Sequence, residues 1–334
     1  MLDQIPRVSL AALPTPLIEA PRLAEDLGVR KLLLKRDDLT GFAAGGTKVR
    51  KLEYDFAEVL AQQCDVVLTA GGVQSNHARL TAAAARKFGL DIKLVLGGPP
   101  FSSFEGNLLL DVMFGAEIRF LPDDDENDHL TSAMGAWARE LEQEGRTAYQ
   151  SPIGGSTGLS ALGCVAEMRE LAAQLDTDEP LQIILPVGSC GTYAGIVLGA
   201  RMFLPGARIV GISVSRTSAA IRHRTREIIG ESCALLGLPD RIDEAALETY
   251  DEYCHVYGIP TEECRDAIIR CARAEGLLLD PIYTGKAMAG LIDLVARKKL
   301  DQDLPIVFLH TGGLPVLFSF ESEFANLARC TIVS

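Results

Sequence analysis

The sequence predicts an α/β protein built on parallel sheets, and three observations predict it. Short β-branched runs alternate with longer helical patterns, several of the runs are apolar from end to end, and several pass straight into glycine or small polar residues. A strand that is apolar on both faces needs cover on both, which the crossover helices of a parallel sheet supply. The length, 334 residues, exceeds what one small core holds and suits two domains.

Taken in order, KLLLKRD (31–37) reads as a strand, followed by the loop LTGFAAGG and a helix from about Thr47. DVVLTAGG (65–72) is a strand ending in glycines, and HARLTAAAARKFG continues it as a helix. DIKLVLGG (91–98), AEIRFLP (116–122) and TAYQSPIGG (147–155) supply three further strands, with GNLLLDVMFG and the helix TSAMGAWARELEQEG between them. A second series opens with the helix ALGCVAEMRELAAQL and the buried strand LQIILPVGS, then the helix GTYAGIVLGARMF and the strand ARIVGISVSR. IRHRTREIIG reads as a solvated helix face, and LPIVFLHTGG (304–313) is the last strand. The acidic stretch PDDDEND (122–128) reads as a surface loop.

Composition narrows the function. The 32 basic and 45 acidic residues give a net charge of −13, which argues against nucleic acid or an anionic membrane as partner. The eight cysteines show neither CxxC pairs nor the density of a disulfide scaffold, and the five histidines are scattered without metal-ligand spacing. The start, MLDQIPRVSL, lacks the apolar core of a signal peptide, and no stretch approaches a membrane span. The expectation is a cytoplasmic enzyme without a metal.

Three strand-to-helix junctions stand out, because ligands in open α/β sheets collect beyond the carboxyl ends of the strands. ILPVGSCGTYAG places Gly188, Ser189, Cys190, Gly191 and Thr192 between strand and helix. Such a turn is either an anion cradle of amides and hydroxyls or a plain tight turn; it is neither a Walker loop nor a GxGxxG fingerprint. GGVQSNHARL puts Gln74, Ser75, Asn76 and His77 at a helix start, more polar residues than one N-cap needs and suited to receiving a carboxylate. His77 reads first as a hydrogen-bonded structural histidine. HTGGLPVLF ends the last strand with Thr311, and YTGKAMAGLIDL sets Tyr283 and Thr284 ahead of a helix bearing Lys286, which the sequence equally allows to face solvent.

One more stretch is chemically suggestive. GGTKVRKLEY (45–54) crowds Lys48, Arg50 and Lys51 into an acidic chain. A lysine amine condenses with an aldehyde cofactor, whose phosphate needs an anion cradle and whose pyridine ring withdraws electrons from an amino acid's Cα. That combination points to pyridoxal 5′-phosphate, with Lys35, Lys48 and Lys51 all open as the lysine concerned.

From LPTPL (13–17) and KRDD (35–38) through GGTKVRKLEY, QSNHAR, GSCGTYAG and LLLDPIYTGKAMAGL to HTGGLPVLF, the chain resembles one family almost end to end. It is the pyridoxal-phosphate-dependent group that includes D-cysteine desulfhydrase, 1-aminocyclopropane-1-carboxylate deaminase and L-cysteate sulfo-lyase. The resemblance implies the tryptophan-synthase-β-like fold, fold type II. Two open twisted-sheet α/β domains would enclose the cofactor, a large one of 1–50 and 161–334 and a small one of 51–160. It implies a homodimer, and Lys48 as the lysine that carries the cofactor. It further implies Gly188, Ser189, Cys190, Gly191 and Thr192 at the phosphate and Asn76 at the cofactor's 3′-oxygen. Ser75 would face the substrate carboxylate or Cα, and Tyr283 and Tyr257 would line the substrate side.

Two positions separate branches of the family. The ring-opening deaminases carry Glu after the tyrosine of DPxY and Leu after the last-strand histidine, where this chain has Thr284 and Thr311. Hydroxyls leave a nearby pyridine nitrogen closer to neutral than a carboxylate does, which resembles the desulfhydrase or sulfo-lyase branch. YTGKAMAGL is most similar to D-cysteine desulfhydrase. Thr47 departs from the asparagine usual in the family.

The implied reaction is α,β-elimination on D-cysteine, giving pyruvate, ammonia and hydrogen sulfide. Lys48 is the simplest base at Cα, with Ser75 and Tyr283 as alternatives. L-cysteate elimination, another deamination or racemisation would use the same machinery. Outside that chemistry stand a nucleotide- or sugar-phosphate enzyme built on the same glycine turns, and a non-catalytic binding protein.

Overall fold

The computed structural model describes residues 1–98, 103–122, 126–176, 179–254 and 256–327. In chain order the elements are β1 (Leu17–Glu19), α1 (Pro21–Leu27), β2 (Leu32–Lys35), α2 (Lys48–Ala61), β3 (Val66–Gly72), α3 (Asn76–Lys87), β4 (Asp91–Gly98) and α4 (Gly106–Met113). They continue with β5 (Glu117–Pro122), α5 (Asn127–Gln143), β6 (Ala148–Ser151), α6 (Gly158–Gln174), β7 (Gln182–Val187), α7 (Gly191–Phe203) and β8 (Arg208–Ser213). Last come α8 (Ser218–Leu236), β9 (Glu248–Tyr250), α9 (Glu262–Glu275), α10 (Thr284–Ala296), β10 (Ile306–Leu309) and α11 (Leu314–Leu317).

Two sheets result. One has six strands in the order β1-β2-β10-β7-β8-β9, and the other four in the order β5-β4-β3-β6. Every pairing is parallel except that of β1 with β2. The apolar strands are buried on both faces, as their composition requires. In β7, Ile183, Leu185 and Val187 pack into one core with α6, α7 and α8, while Ile184 joins a second core with α9 and α10. In β3, Val67 faces one core and Val66, Leu68 and Ala70 face another.

Several sequence expectations need amendment. The strand read across 147–155 stops at Ser151, because Pro152 has no amide hydrogen to continue a ladder, and a 3₁₀ turn follows over Ile153–Gly155. β1 and β9, three residues each, were not legible: they are too short for a periodicity and exist only as edges laid against β2 and β8. Of the acidic stretch 122–128, Pro122 ends β5 and Asn127 opens α5, while residues 123–125 lie outside the described residues. IRHRTREIIG falls within α8, with Ile221, Thr225, Ile228 and Ile229 turned inward. Among the described residues no group of acidic, histidine and cysteine side chains could hold a metal. Nor is any described helix long and apolar enough to cross a membrane.

Candidate active site

A cavity of about 330 Å³ opens where strands of both sheets end. Gly71 and Gly72 come to it from β3, Gly188 and Ser189 from β7, Ser215 and Arg216 from beyond β8, and Thr311 from beyond β10. The carboxyl ends of parallel strands thus converge on one space, where the topology directs a ligand.

Lys48 begins α2 and lines the cavity, and its ammonium donates to the Gly154 carbonyl at 3.3 Å. Burial lowers its pKa, so a free amine is reached at a lower pH than for a solvated lysine. Lys51, fully buried one helical turn on, donates to the same carbonyl at 2.7 Å and to Ser156 Oγ at 3.3 Å. Its pKa is pushed well below the ordinary value, first by burial and then by the charge of Lys48. Lys35 lies elsewhere, donating to Glu170, to Gln174 at 2.8 Å and to the Thr15 carbonyl at 2.8 Å.

The turn after β7 is built around an unusual backbone. Cys190 holds φ 72° as the N-cap of α7, a left-handed conformation costing a cysteine roughly 1–2 kcal/mol. Behind it, the Gly191 amide donates to Ser156 Oγ at 3.3 Å, and Ser156 Oγ donates to Ser189 Oγ at 2.8 Å. A Cβ on Gly191 would stand 2.6 Å from Lys51 Nζ and 2.7 Å from Ser156 Oγ, so this position has room only for glycine. Lys51 therefore sets a buried amine under the turn, where an anion would favour its charged form. Gly188, Ser189, Cys190 and Thr192 line the cavity itself.

On the facing side, Ser75 caps α3, its Oγ accepting from the Ala78 amide at 3.2 Å. Asn76 Oδ1 accepts from Asn107 Nδ2 at 2.9 Å and from Arg79 Nη2 at 3.3 Å, which leaves the amide nitrogen as the end of the side chain free to donate. His77 is buried; its Nε2 lies 3.1 Å from Ser151 Oγ and 3.4 Å from Thr81 Oγ1. Burial and the two lysines push its pKa well down, so the ring is neutral. The ring also lines the cavity, with Nδ1 unpartnered among the described residues.

Tyr257 and Tyr283 close the remaining wall, their hydroxyls 2.7 Å apart and their rings edge to face. Burial, then the neighbouring phenol, raises the Tyr283 pKa well above the ordinary range. Tyr283 is aimed by Asp280, whose carboxylate accepts from the amides of Ile282, Tyr283 and Thr284 at 2.9, 2.8 and 2.9 Å. Two of the expected cofactor residues, Gly191 and Thr284, do not line the cavity. The buried Thr284 hydroxyl donates to Asp280 Oδ1 at 2.7 Å and accepts from the Asp280 amide at 2.8 Å. Thr311 does line the cavity, and its carbonyl accepts from the Thr47 amide at 3.0 Å. That link uses backbone alone, so threonine in place of asparagine at 47 leaves it intact; the Thr47 hydroxyl lies 3.9 Å from Cys164 Sγ.

Sequence reasoning did not single out Lys51's site under Gly191, the Gly154–Ser156 turn, Asp280 as the anchor of Tyr283, or Arg216. The strand-end rule applied to ARIVGISVSR would have found Ser215 and Arg216. The Gly154 turn was hidden by reading 147–155 as one strand.

The residues fit a phosphate-bearing aldehyde. A side-chain-free turn with hydroxyls, a helix N-terminus and a buried lysine suits the phosphate, and an amine of lowered pKa suits the aldehyde. The class so defined is an enzyme that works through such a cofactor. Residues 8–312 match the family described as pyridoxal-phosphate dependent enzyme, and the chain belongs to that family.

It is 38% identical to a D-cysteine desulfhydrase of Salmonella schwarzengrund, over 96% of this chain and 97% of that one. It is 40% identical to a D-cysteine desulfhydrase of Yersinia enterocolitica, over 96% and 98% of the two chains. The crystal structure of an ACC deaminase homologue superposes with a TM-score of 0.91 at 38% identity, covering 98% of each chain. A fungal L-serine ammonia-lyase from Rhizomucor miehei shares the fold, with a TM-score of 0.68 at 17% identity over 96% and 99% of the two chains. The fold is thus the tryptophan-synthase-β-like fold type II expected from the sequence.

Proposed function

We propose that this chain catalyses α,β-elimination on D-cysteine, consuming one water and yielding pyruvate, ammonia and hydrogen sulfide. The observation that carries the reading is Lys48, an amine of lowered pKa facing the anion turn, in a chain akin over nearly its whole length to D-cysteine desulfhydrases. Pyridoxal phosphate, when bound, supplies the electron sink for charge developing at the substrate's Cα.

The chain's residues do the rest. The turn at 188–192 and Lys51 would hold the phosphate, and Asn76, its oxygen already engaged, would donate from its nitrogen to the cofactor's 3′-oxygen. The Ser75 helix start receives the substrate carboxylate. Lys48, as a free amine of lowered pKa, would be the base that takes the Cα proton. Tyr283 holds its proton across neutral pH, which suits it to donate to the departing sulfur rather than to act as the base. A second substrate, L-cysteate, is favoured by one observation: Arg216 lines the cavity, and among the described residues its guanidinium forms no ion pair, so a sulfonate would have a partner.

The proposal extends to organisation. A small domain of 51–160 is supported by the four-stranded sheet, whose strands all lie between Val66 and Ser151, although a boundary at 50/51 cuts α2. A homodimer is supported by an apolar face on which α11 packs beside α4, with Met113 71% and Phe318 66% exposed. Free cysteines throughout the described residues support a reducing, cytoplasmic setting.

The test is the absorbance spectrum of the purified protein before and after D-cysteine. A visible band that is absent in Lys48→Ala, with sulfide and pyruvate appearing together, is the expected result. Sulfite from L-cysteate without sulfide from D-cysteine would move the assignment to the second substrate. No band after reconstitution with the cofactor would sink both.

A further inference from the structure

The loop that carries Tyr257 is tied to α10 at its start, where the Tyr253 hydroxyl donates to Asp293 Oδ2 at 2.5 Å and Arg297 Nη1 to Glu252 Oε1 at 2.8 Å. Between β9 and α9 its internal backbone hydrogen bonds are long: the Cys254 amide reaches the Asp251 carbonyl at 3.3 Å and the Ile259 amide the Val256 carbonyl at 3.4 Å. The apolar side chains on either side of Tyr257 face outward, Val256 being 57% and Ile259 58% exposed. Tyr253 packs on the core around α9 and α10 and Pro260 is buried, but Val256 and Ile259 add no such burial beside Tyr257. Tyr257 is nonetheless placed closely, with its ring 3.3 Å from where a Cβ on Gly72 would stand and its hydroxyl 2.7 Å from that of Tyr283.

Lys286 spans the gap. It lies in the first turn of α10, three residues beyond Tyr283, and is wholly buried. Its ammonium donates to the carbonyls of Cys254 and Val256, each at 2.8 Å. Among the described residues no carboxylate forms an ion pair with it, and these two bonds to backbone carbonyls are what hold the ammonium. Burying an ammonium costs several kcal/mol, and an apolar side chain of the same length would fill the space without that cost. Stability of the fold does not explain a lysine here; what the lysine adds is two strong, directed bonds to the residues just before Tyr257.

We propose that Lys286 is a positioning residue that docks the carbonyls of Cys254 and Val256 onto α10 and thereby holds the Tyr257 hydroxyl against that of Tyr283 at the substrate side of the cavity. The inference rests on the elimination reading of that cavity. Lys286 itself does not line it. It acts through Tyr257, whose amide follows the carbonyl that Lys286 grips.

The experiment has two arms on the holoenzyme, with Lys286→Met as the variant that keeps the chain length and loses the donors. Hydrogen exchange over 251–260 is expected to rise to that of an unprotected loop, while the 188–192 turn and the cofactor band stay as in the parent. In a double-mutant cycle on D-cysteine, K286M and Tyr257→Phe are each expected to lower kcat up to about 100-fold, with KM little changed. The double variant should be no slower than the slower single variant, because both remove the same interaction. Additive losses in the cycle, or exchange unchanged by K286M, overturn the proposal. Should K286M not accumulate folded, Lys286→Gln, which keeps a donor for one carbonyl, enters the same cycle with a smaller expected loss. Should the parent enzyme not turn over D-cysteine, the functional reading falls, while the exchange arm still decides whether Lys286 docks the loop.

Discussion

Lys48 and Lys51 lie three residues apart on α2 and donate to one carbonyl, that of Gly154. Burial lowers the pKa of both, and the charge of Lys48 lowers that of Lys51 further, so the free amine that cofactor capture needs at Lys48 comes from its burial. Their roles differ by depth. Lys48 reaches the cavity, whereas Lys51 is sealed beneath Gly191 and has only the turn above it to serve. Replacing Lys51 with methionine keeps the volume and removes the charge. Cofactor affinity should then fall about 10- to 100-fold, the worth of one charge-assisted hydrogen bond, as read by titrating the apoenzyme with pyridoxal phosphate. An unchanged affinity would remove Lys51 from the phosphate site. The residue types were legible in GGTKVRKLEY, but the division of labour was not, since spacing alone puts both lysines on one helix face.

At the scale of elements, the helix that presents Lys48 is riveted by a buried ionic cluster. Arg50 donates to Asp37 Oδ2 and Oδ1, both at 2.8 Å, and to Glu170 Oε2 and Oε1, both at 2.9 Å, while Lys35 joins Glu170 from β2. Two cations thus balance two carboxylates. A third, Glu167, lies 3.9 Å from Arg50 with Oε2 unpartnered, and burial raises its pKa to about 8. The sign of its contribution follows. Between the unfolded value of 4.5 and about 8, folded Glu167 keeps a proton that the unfolded chain has lost, so its contribution to stability is present at low pH and fades as pH rises. Glu167→Gln cannot titrate. Relative to the parent it should gain about 1–3 kcal/mol at pH 8 compared with pH 5, measured as the difference in urea denaturation between the two proteins. An equal difference at both pH values would mean that Glu167 is ionised in the fold. KRDD and VAEMREL carry most of these charges in the sequence; that they meet is a consequence of α2 packing on α6 and of Lys35 on β2 reaching Glu170.

For the molecule as a whole, Leu109, Val112 and Met113 on α4 and Phe318 just beyond α11 are large apolar side chains left exposed on two helices that pack together, and the proposed homodimer would cover them. The proposed homodimer predicts a particle of twice the 35.9 kDa chain mass in sedimentation equilibrium. Met113→Glu combined with Phe318→Asp should shift that particle toward the monomer. A parent protein that sediments as a monomer would leave the face to another use. The sequence showed these residues without showing them together, because 113 and 318 are joined only by the packing of α11 on α4.

What the sequence determined is the part written in local pattern. Alternating apolar runs specify two-sided parallel strands, glycines at strand ends specify open turns, and the ordered motifs from LPTPL to HTGGLPVLF carry the family and with it the cofactor. What only the tertiary structure decided depends on groups distant in the chain coming within bonding reach. Asp280 takes the Thr284 hydroxyl out of the cavity, Lys51 comes to rest under Gly191, 140 residues ahead of it, and Lys286 turns inward to grip the loop of Tyr257. A hydrogen-bond donor's periodicity says which side of a helix it leaves from. Only the folded chain says which carbonyl or carboxylate is waiting there.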